Sequence, residues 1–440
     1  MKHFYSLKLA FLLSFIAISH INAQYTAIPD SNFEQHLITQ AIDSEGTLDG
    51  QVLTSDIAAV SSLDISYSSI SNLTGISDFS ALTYLRATFV TSLTSLDLSG
   101  LIALDELDLS MSFNVNALNI TGCSSLRDLD IRFTQISTLD LSTSPTIEII
   151  DMYKNTGIQN LDLSGLTSLT RIAANESVLQ VLNVAGCSAL STIQIDETSV
   201  TSLDLSNNLA LTNLTIYDTF IDSIYLTNCT NFQNLSLIQC RDLAVVDLTN
   251  CTSMTNLNIL DTYSDLTSLD FSTLTALESI DLSGSGIEDV DLSNNTNLTS
   301  LSISGSGVNT LDLRNGHNVF ITSFYIYDTG LQCVNVDDDV YSTLNWTNIS
   351  PTIFFKKDCS ILSVDENNRP EIRLFPNPSD SNISISGLEQ EHRYQIYNVL
   401  GEALISGDIT FKSQINIRSL SKGVYFIKLD TYETIRFVKK

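Results

Sequence analysis

A chain of 440 residues with a formal net charge of −29 and 43% hydrophobic residues is too long for one ordinary core and too apolar to be disordered throughout. So acidic a surface excludes nucleic acid and anionic membranes as partners. Of five histidines, His3 and His20 precede residue 24 and His36, His317 and His392 fall in three separate modules, which excludes a histidine-held metal and a serine or cysteine triad. No catalytic set, metal site or cofactor is expected, and the chain reads as a non-enzyme.

Residues 1–23 read as a cleaved signal peptide. Lys2 and Lys8 flank the start, Leu9 to Ile18 form a short apolar run, and Ile21-Asn22-Ala23 leads to Gln24, with cleavage expected between Ala23 and Gln24. That run is too short to span a bilayer, and no later stretch reaches about 18 apolar residues, so membrane insertion is not expected. Residues 24–60 lack the periodicity of the next module. Asp30 ahead of Phe33, Leu37, Ile38 and Ala41 predicts a capped helix able to cover the end of that module.

From 61 to 336 the sequence repeats. A strand-like unit, apolar-x-apolar, starts at Leu63, Leu85, Leu107, Leu129, Ile150, Ile172, Ile193, Leu214, Leu235, Leu257, Ile280, Leu301 and Phe324, in steps of 21 to 23 residues. Five residues after each start stands a small, mostly polar residue, among them Ser68, Val90, Ser112, Thr134, Asn155, Cys240 and Thr329. The run Leu211, Leu214, Ile216, Thr219, Ile221 is similar to the leucine-rich-repeat consensus L-x-x-L-x-L-x-x-N-x-L at every apolar place. The departure is that the consensus asparagine occurs once, at Asn155. Hydroxyls and a thiol pair fewer turn groups than an amide, so a weaker ladder is expected, with an irregular coil at Val90.

This resemblance implies a mainly β, right-handed leucine-rich-repeat solenoid. A second unit begins at Leu96, Leu118, Leu139, Leu161, Leu182, Leu203, Ile224, Val246, Leu269, Val290 and Leu311, so two short strands are expected in each coil. Aspartates recur between the apolar residues of this outer strand, as at Asp97, Asp140, Asp162, Asp204, Asp247, Asp270, Asp291 and Asp312. Alternation points them to solvent, either as a solubilising stripe or as a site where calcium bridges neighbouring coils. Asp43 to Asp49 is a weaker calcium hint, since the EF-hand spacing is not met. Cys123, Cys187, Cys229 and Cys251 share one turn position and read as buried small fillers, with a bridge between Cys229 and Cys251 as the alternative.

The inner strands supply the candidate binding face. Their outward columns are neutral in the middle of the solenoid and hold Tyr153, Tyr217, Ile238, Leu260, Tyr325 and Tyr327, with Arg132 and Arg171 alongside. Exposed aromatic and aliphatic groups on a rigid sheet offer contact area at low entropy cost. The competing reading is scattered surface apolar residues.

Residues 337–360 are expected to close the solenoid, with Cys333 and Cys359 either joined in a disulfide over its open end or left as two thiols. Residues 361–370 read as a linker. Seven short alternating segments lie within 371–440, which predicts a small antiparallel β-sandwich. Leu374-Phe375-Pro376-Asn377-Pro378, Tyr397-Asn398-Val399-Leu400-Gly401, Leu420 to Lys428 through Gly423 and Tyr425, and the basic end at Lys439 and Lys440 resemble the sorting domain of the type IX secretion system. The resemblance implies engagement of that machinery, removal of the domain, and release or attachment at the outer membrane. The function expected is a secreted or cell-surface binding protein for an extracellular protein or glycan. The alternative is a structural spacer of the cell surface, a rod near ~60 Å for about thirteen coils.

Overall fold

The computed structural model describes residues 24–263, 265–361, 373–388, 391–410, 413–430 and 434–440. The expected signal peptide, with Ala23, and residues 362–370 of the expected linker lie outside them. The chain divides between Cys359 and Ser360 into two compact units.

In the first unit the apolar-x-apolar segments become short parallel strands. They stack into an inner sheet of two blocks, seven strands from Ser62–Asp64 to Thr192–Gln194 and six from Asn213–Tyr217 to Ser323–Tyr325. Pairing is in phase, Leu63 on Leu85, Leu85 on Leu107 and Leu301 on Phe324. Each apolar column therefore piles on itself and is buried from coil to coil. No single coil can bury its own face, so the stack is the stable unit. The two blocks part where side chains enter the ladder. Asn175 Oδ1 accepts the Asp196 N–H at 3.0 Å, and the Asp196 carboxylate accepts the Tyr217 N–H at 2.8 Å.

The expected second strand is not formed in every coil. It is present at Ser95–Asp97, Ala117–Asn119, Asn160–Asp162 and in later coils, but not at Leu139, and at Leu269 only an isolated bridge from Ser268 to Asp289 remains. At the first gap, the Gly122 N–H bonds the Thr143 hydroxyl at 2.9 Å, whereas the Gly100 N–H meets the Thr121 carbonyl. At the second, seven positions separate Thr262 from Leu269 where five separate Ser285 from Val290, so that coil reaches the outer side out of step.

The turn after each inner strand uses one backbone device throughout. Four residues past the first apolar residue of the strand, φ lies between 49° at Asp218 and 69° at Gly284 in all thirteen coils, and the coils before Gly284 place Tyr67, Phe89, Met111, Phe133, Lys154, Glu176, Glu197, Asp218, Gln239 and Asp261 there. Non-glycine residues pay about 1–2 kcal/mol for this left-handed conformation. The next residue turns inward and is buried at nearly every coil. There Asn155 does most, bonding Thr134 Oγ1 and the Ile136 carbonyl and accepting the Gly157 and Ile158 N–H groups. Thr134, Thr198 and Ser306 donate to a carbonyl of their own coil, and the hydroxyls of Thr262 and Ser285 find no partner. The ladder is thus uneven, as Ser and Thr in place of Asn predict.

The ends are sealed. Helix Ser31–Thr39 starts at Asp30, whose Oδ1 accepts the Asn32 and Phe33 N–H groups, while its Oδ2 accepts Ser71 and Asn72 N–H groups from the first coil. Its buried Glu34 accepts three backbone N–H groups, of Asp49, Gly50 and Gln51. At the other end Trp346 stacks on Phe324 with centroids 4.2 Å apart, and Cys333 and Cys359 form a disulfide with Cα atoms 5.9 Å apart. A single 3-10 turn, Cys359–Ile361, comes next.

The second unit has two antiparallel sheets. One joins Arg373–Phe375, Asn382–Ser386 and Ile415–Asn416, and the other orders Ala403–Ile409, His392–Tyr397, Gly423–Leu429 and Ile435–Lys439. Alternating residues Ile383, Ile385, Ile396, Ile427 and Phe437 form its core. Among the described residues no helix is long and apolar enough to cross a membrane.

Candidate interaction surface

Period-two alternation turns the residues between and beyond the apolar positions of each inner strand outward. In the first half of the sheet these are charged, and the charges answer one another. Arg86 lies 4.0 Å from Asp64 and 3.3 Å from Asp108, Arg132 lies 2.6 Å from Asp130 and 3.8 Å from Asp151, and Arg171 lies 3.8 Å from Asp151. The same aspartates accept the N–H two residues on, as Asp108 does from Ser110 and Asp151 from Tyr153. Burial, then the charges of Glu106, Asp130 and Asp151, push the Asp128 carboxyl up, and burial is the largest influence raising Asp130 and Asp196. Negative charge on this part of the face is incompletely compensated.

The sequence-derived candidates fall into three places. Tyr217, Ile238 and Leu260 are brought together, since Tyr217 pairs with Ile238 and Ile238 with Leu260 in neighbouring strands. Tyr325 and Tyr327 stand on the last coil, 45% and 40% exposed. Tyr153 lies apart from both groups, its hydroxyl donating to Glu176 at 2.6 Å and the Lys154 ammonium 5.1 Å from its ring centroid. Arg171 is not a free cation, because besides Asp151 it bonds the Gln194 side-chain oxygen at 3.2 Å.

Sequence reasoning reached the outward strand columns and missed the aromatic ridge at their edge. Tyr67, Phe89, Phe113, Phe133 and Tyr153 make a continuous run of rings across five coils, with successive centroids 5.7, 5.7, 6.2 and 5.3 Å apart. Tyr67 is 76% exposed, and Phe89 and Phe113 are exposed as well. The signal was available as Tyr67, Phe89, Met111 and Phe133 at one left-handed position in four consecutive coils.

The outer aspartates have a local task. Each of the eight accepts an N–H from the residue two positions on, for example Asp97 from Ser99, Asp162 from Ser164 and Asp270 from Ser272. This turn needs the short Asp side chain and is closed to Glu. Asn119 and Asn183 interrupt the column and donate to Asp97 and Asp162, each at 2.9 Å. Among the described residues no group of three His, Cys, Asp or Glu is placed to hold a metal ion. The column cysteines are free and buried. Their thiols do more than fill space, each donating to a carbonyl of the preceding coil: Cys123 to Leu98, Cys187 to Leu163, Cys229 to Leu205 and Cys251 to Leu226, at 3.1–3.3 Å.

In the second unit Asn377 lies between Pro376 and Pro378, accepts the Val438 N–H and donates to the Arg436 carbonyl, so it holds the last strand. Gly401 has φ of 82° in the turn closed by Asn398, a conformation glycine adopts without penalty. Gly423 opens a long strand, and Tyr425 stacks on Phe437 and donates to the Ser421 carbonyl. Lys439 is largely buried, and the Lys440 N–H bonds the Ser379 carbonyl. The Pro376–Ser379 segment is thus tied to the terminal strand, whereas the Gly401 turn joins His392–Tyr397 to Ala403–Ile409, the opposite edge of the sheet.

Residues 373–440 match the family described as secretion system C-terminal sorting domain. No curated protein matches the chain in sequence. Among solved structures, the chain is similar to the functional domain of InlJ from Listeria monocytogenes, at 22% identity and a TM-score of 0.36 over 72% of this chain and 78% of that one. It is also similar to the internalin InlF from Listeria monocytogenes, at 14% identity and a TM-score of 0.42 over 75% and 98%, and to the protein LIC12759 from Leptospira interrogans, at 15% identity and a TM-score of 0.34 over 66% and 81%. The first unit is a solenoid of thirteen stacked coils, and residues 373–440 carry a secretion system C-terminal sorting domain, which marks the chain for secretion or the cell surface.

Proposed function

We propose that the inner sheet and the turn edge beside it form a recognition surface for an extracellular protein or glycan, and that the chain works by binding and not by catalysis. The observation that carries this is the register-paired set Tyr217, Ile238 and Leu260 on a continuous parallel sheet, with Tyr325 and Tyr327 exposed on the same face. Parallel pairing fixes the backbone, so the side chains present contact area at little ordering cost. Transport is assigned to the type IX machinery through the sorting domain, with release or surface attachment after its removal.

The test is a protein and glycan array probed with the chain and with Tyr153→Ala, Tyr217→Ala and Tyr327→Ala combined, with and without calcium. Binding that disappears in the triple variant at an unchanged melting temperature supports the reading. Binding retained by the variant sinks it, and a blank array favours a spacer role.

A further inference from the structure

The left-handed column holds more than the rings. After Tyr67, Phe89, Met111, Phe133 and Lys154 it continues with Glu176, Glu197 and Asp218. Lys154 is its one basic residue, and its ammonium sits 2.9 Å from Glu176. One edge of the solenoid is therefore aromatic over its first coils and acidic over the next, with the cation at the junction neutralised. We propose that this edge docks an extended segment of a partner protein that is apolar at one end and basic at the other. The inference rests on the reading that the strand face and its edge bind, and it names the class of partner.

Three observations favour a peptide over a glycan. The rings from Phe89 to Tyr153 meet at 82°, 76° and 87°, so they offer alternating edges and faces and no flat platform for a sugar ring. Such a corrugated ridge suits aliphatic side chains and guanidinium groups, which seat against ring faces. The fold itself does not ask for aromatics there, because Gly284 and Gly305 occupy the same position in later coils and meet the left-handed requirement without strain. Finally, beyond the rings and the Lys154–Glu176 pair the edge continues with the carboxylates Glu197 and Asp218, whose negative charge complements the basic end of a peptide. From Tyr67 to Asp218 there are seven coil steps, roughly 34 Å, which an extended segment of about ten residues covers.

The test uses the full chain and a fluorescent twelve-residue peptide with leucine and phenylalanine in one half and arginine in the other. A peptide of equal composition with the two classes alternating is the comparison. Tyr67→Gly, Phe89→Gly and Phe133→Gly together, and Glu197→Lys with Asp218→Lys, are each expected to weaken binding of the block peptide at least tenfold at moderate salt. Glu278→Lys with Glu288→Lys, the same charge change away from this edge, is expected to change it less than twofold. Asn at the three ring positions serves as a second set, since Asn also tolerates the left-handed conformation, and thermal melts confirm that either set is folded. Equal loss in the charge-matched pair, equal binding of the alternating peptide, or neutral oligosaccharides bound in a ring-dependent way would each overturn the proposal. If array binding depends on Tyr217 and Tyr327 while the ring variants bind the block peptide normally, the surface reading stands and this one falls.

Discussion

Ser112 serves a neighbouring coil through its hydroxyl, accepting the Val90 N–H at 2.9 Å and donating to the Ala87 carbonyl at 2.6 Å. Val90 occupies the buried polar column with no polar atom of its own, and the next coil supplies what it lacks. Ser112→Ala would strand a buried donor and a buried acceptor, a loss of about 1–3 kcal/mol. Ser285→Ala at the equivalent position removes a hydroxyl that has no partner and should leave stability unchanged or raise it. Thermal or denaturant unfolding of both variants checks the pair; equal effects would show that the hydroxyl contacts are immaterial.

The buried thiols should be inert in the native chain. Burial pushes Cys123 up to about 11, and burial followed by the neighbouring Cys229 pushes Cys251 up to about 12, while the thiolate is the reactive form. A disulfide-exchange reagent at pH 8 is expected to titrate none of the five free cysteines before unfolding, five in guanidinium and seven after reduction. Rapid native labelling of any of the five would contradict this.

The pH dependence should run in two directions. Hydrogen bonds from Ser99, Ser164 and Ser272 hold Asp97, Asp162 and Asp270 below their ordinary 3.8. Their contribution is therefore complete above that value and is lost as pH falls through the lower folded values. Asp128, Asp130 and Asp196 are raised, so their charged forms weaken the fold at neutrality, and the penalty lifts as pH falls through the raised values. The melting temperature is expected to rise slightly below neutrality and then fall below about pH 4. Asp128→Asn should raise it at pH 7 and make no difference below pH 4; an unchanged melt at pH 7 would count against this account.

Removing the Cys333–Cys359 disulfide frees a loop closed across a sequence separation of 26, and chain entropy puts the cost near 3–4 kcal/mol. Cys333→Ser with Cys359→Ser should lower the melting temperature and first increase hydrogen exchange around Phe324 and Trp346, at the end the loop covers. Exchange that rises first near Phe33 and Phe79 would show that the other end limits stability.

Much of the fold was readable because stacking forces identical spacing. The columns headed by Leu63 and Ile65 must repeat if they are to be buried, and Asp30 had the neighbours a helix cap needs. The outer strand at Leu139 was not readable, since its apolar pattern is intact and the gap arises from which oxygen meets the Gly122 N–H. The ridge was missed for a different reason. Its rings come from three columns, Tyr67, Phe89 and Phe133 at the left-handed position, Phe113 two residues past it and Tyr153 one residue before it, and only the folded coil brings these columns into contact.

The left-handed turn position has a consequence for how such a chain can change. At thirteen points the architecture dictates a backbone angle and leaves the side chain outside every apolar column. Residues as different as Phe89, Lys154, Glu197 and Gly305 occupy it over one uninterrupted framework. Mutation there alters the legend on the edge without disturbing the shelf that carries it, so lineages sharing this scaffold are free to exchange partners one coil at a time.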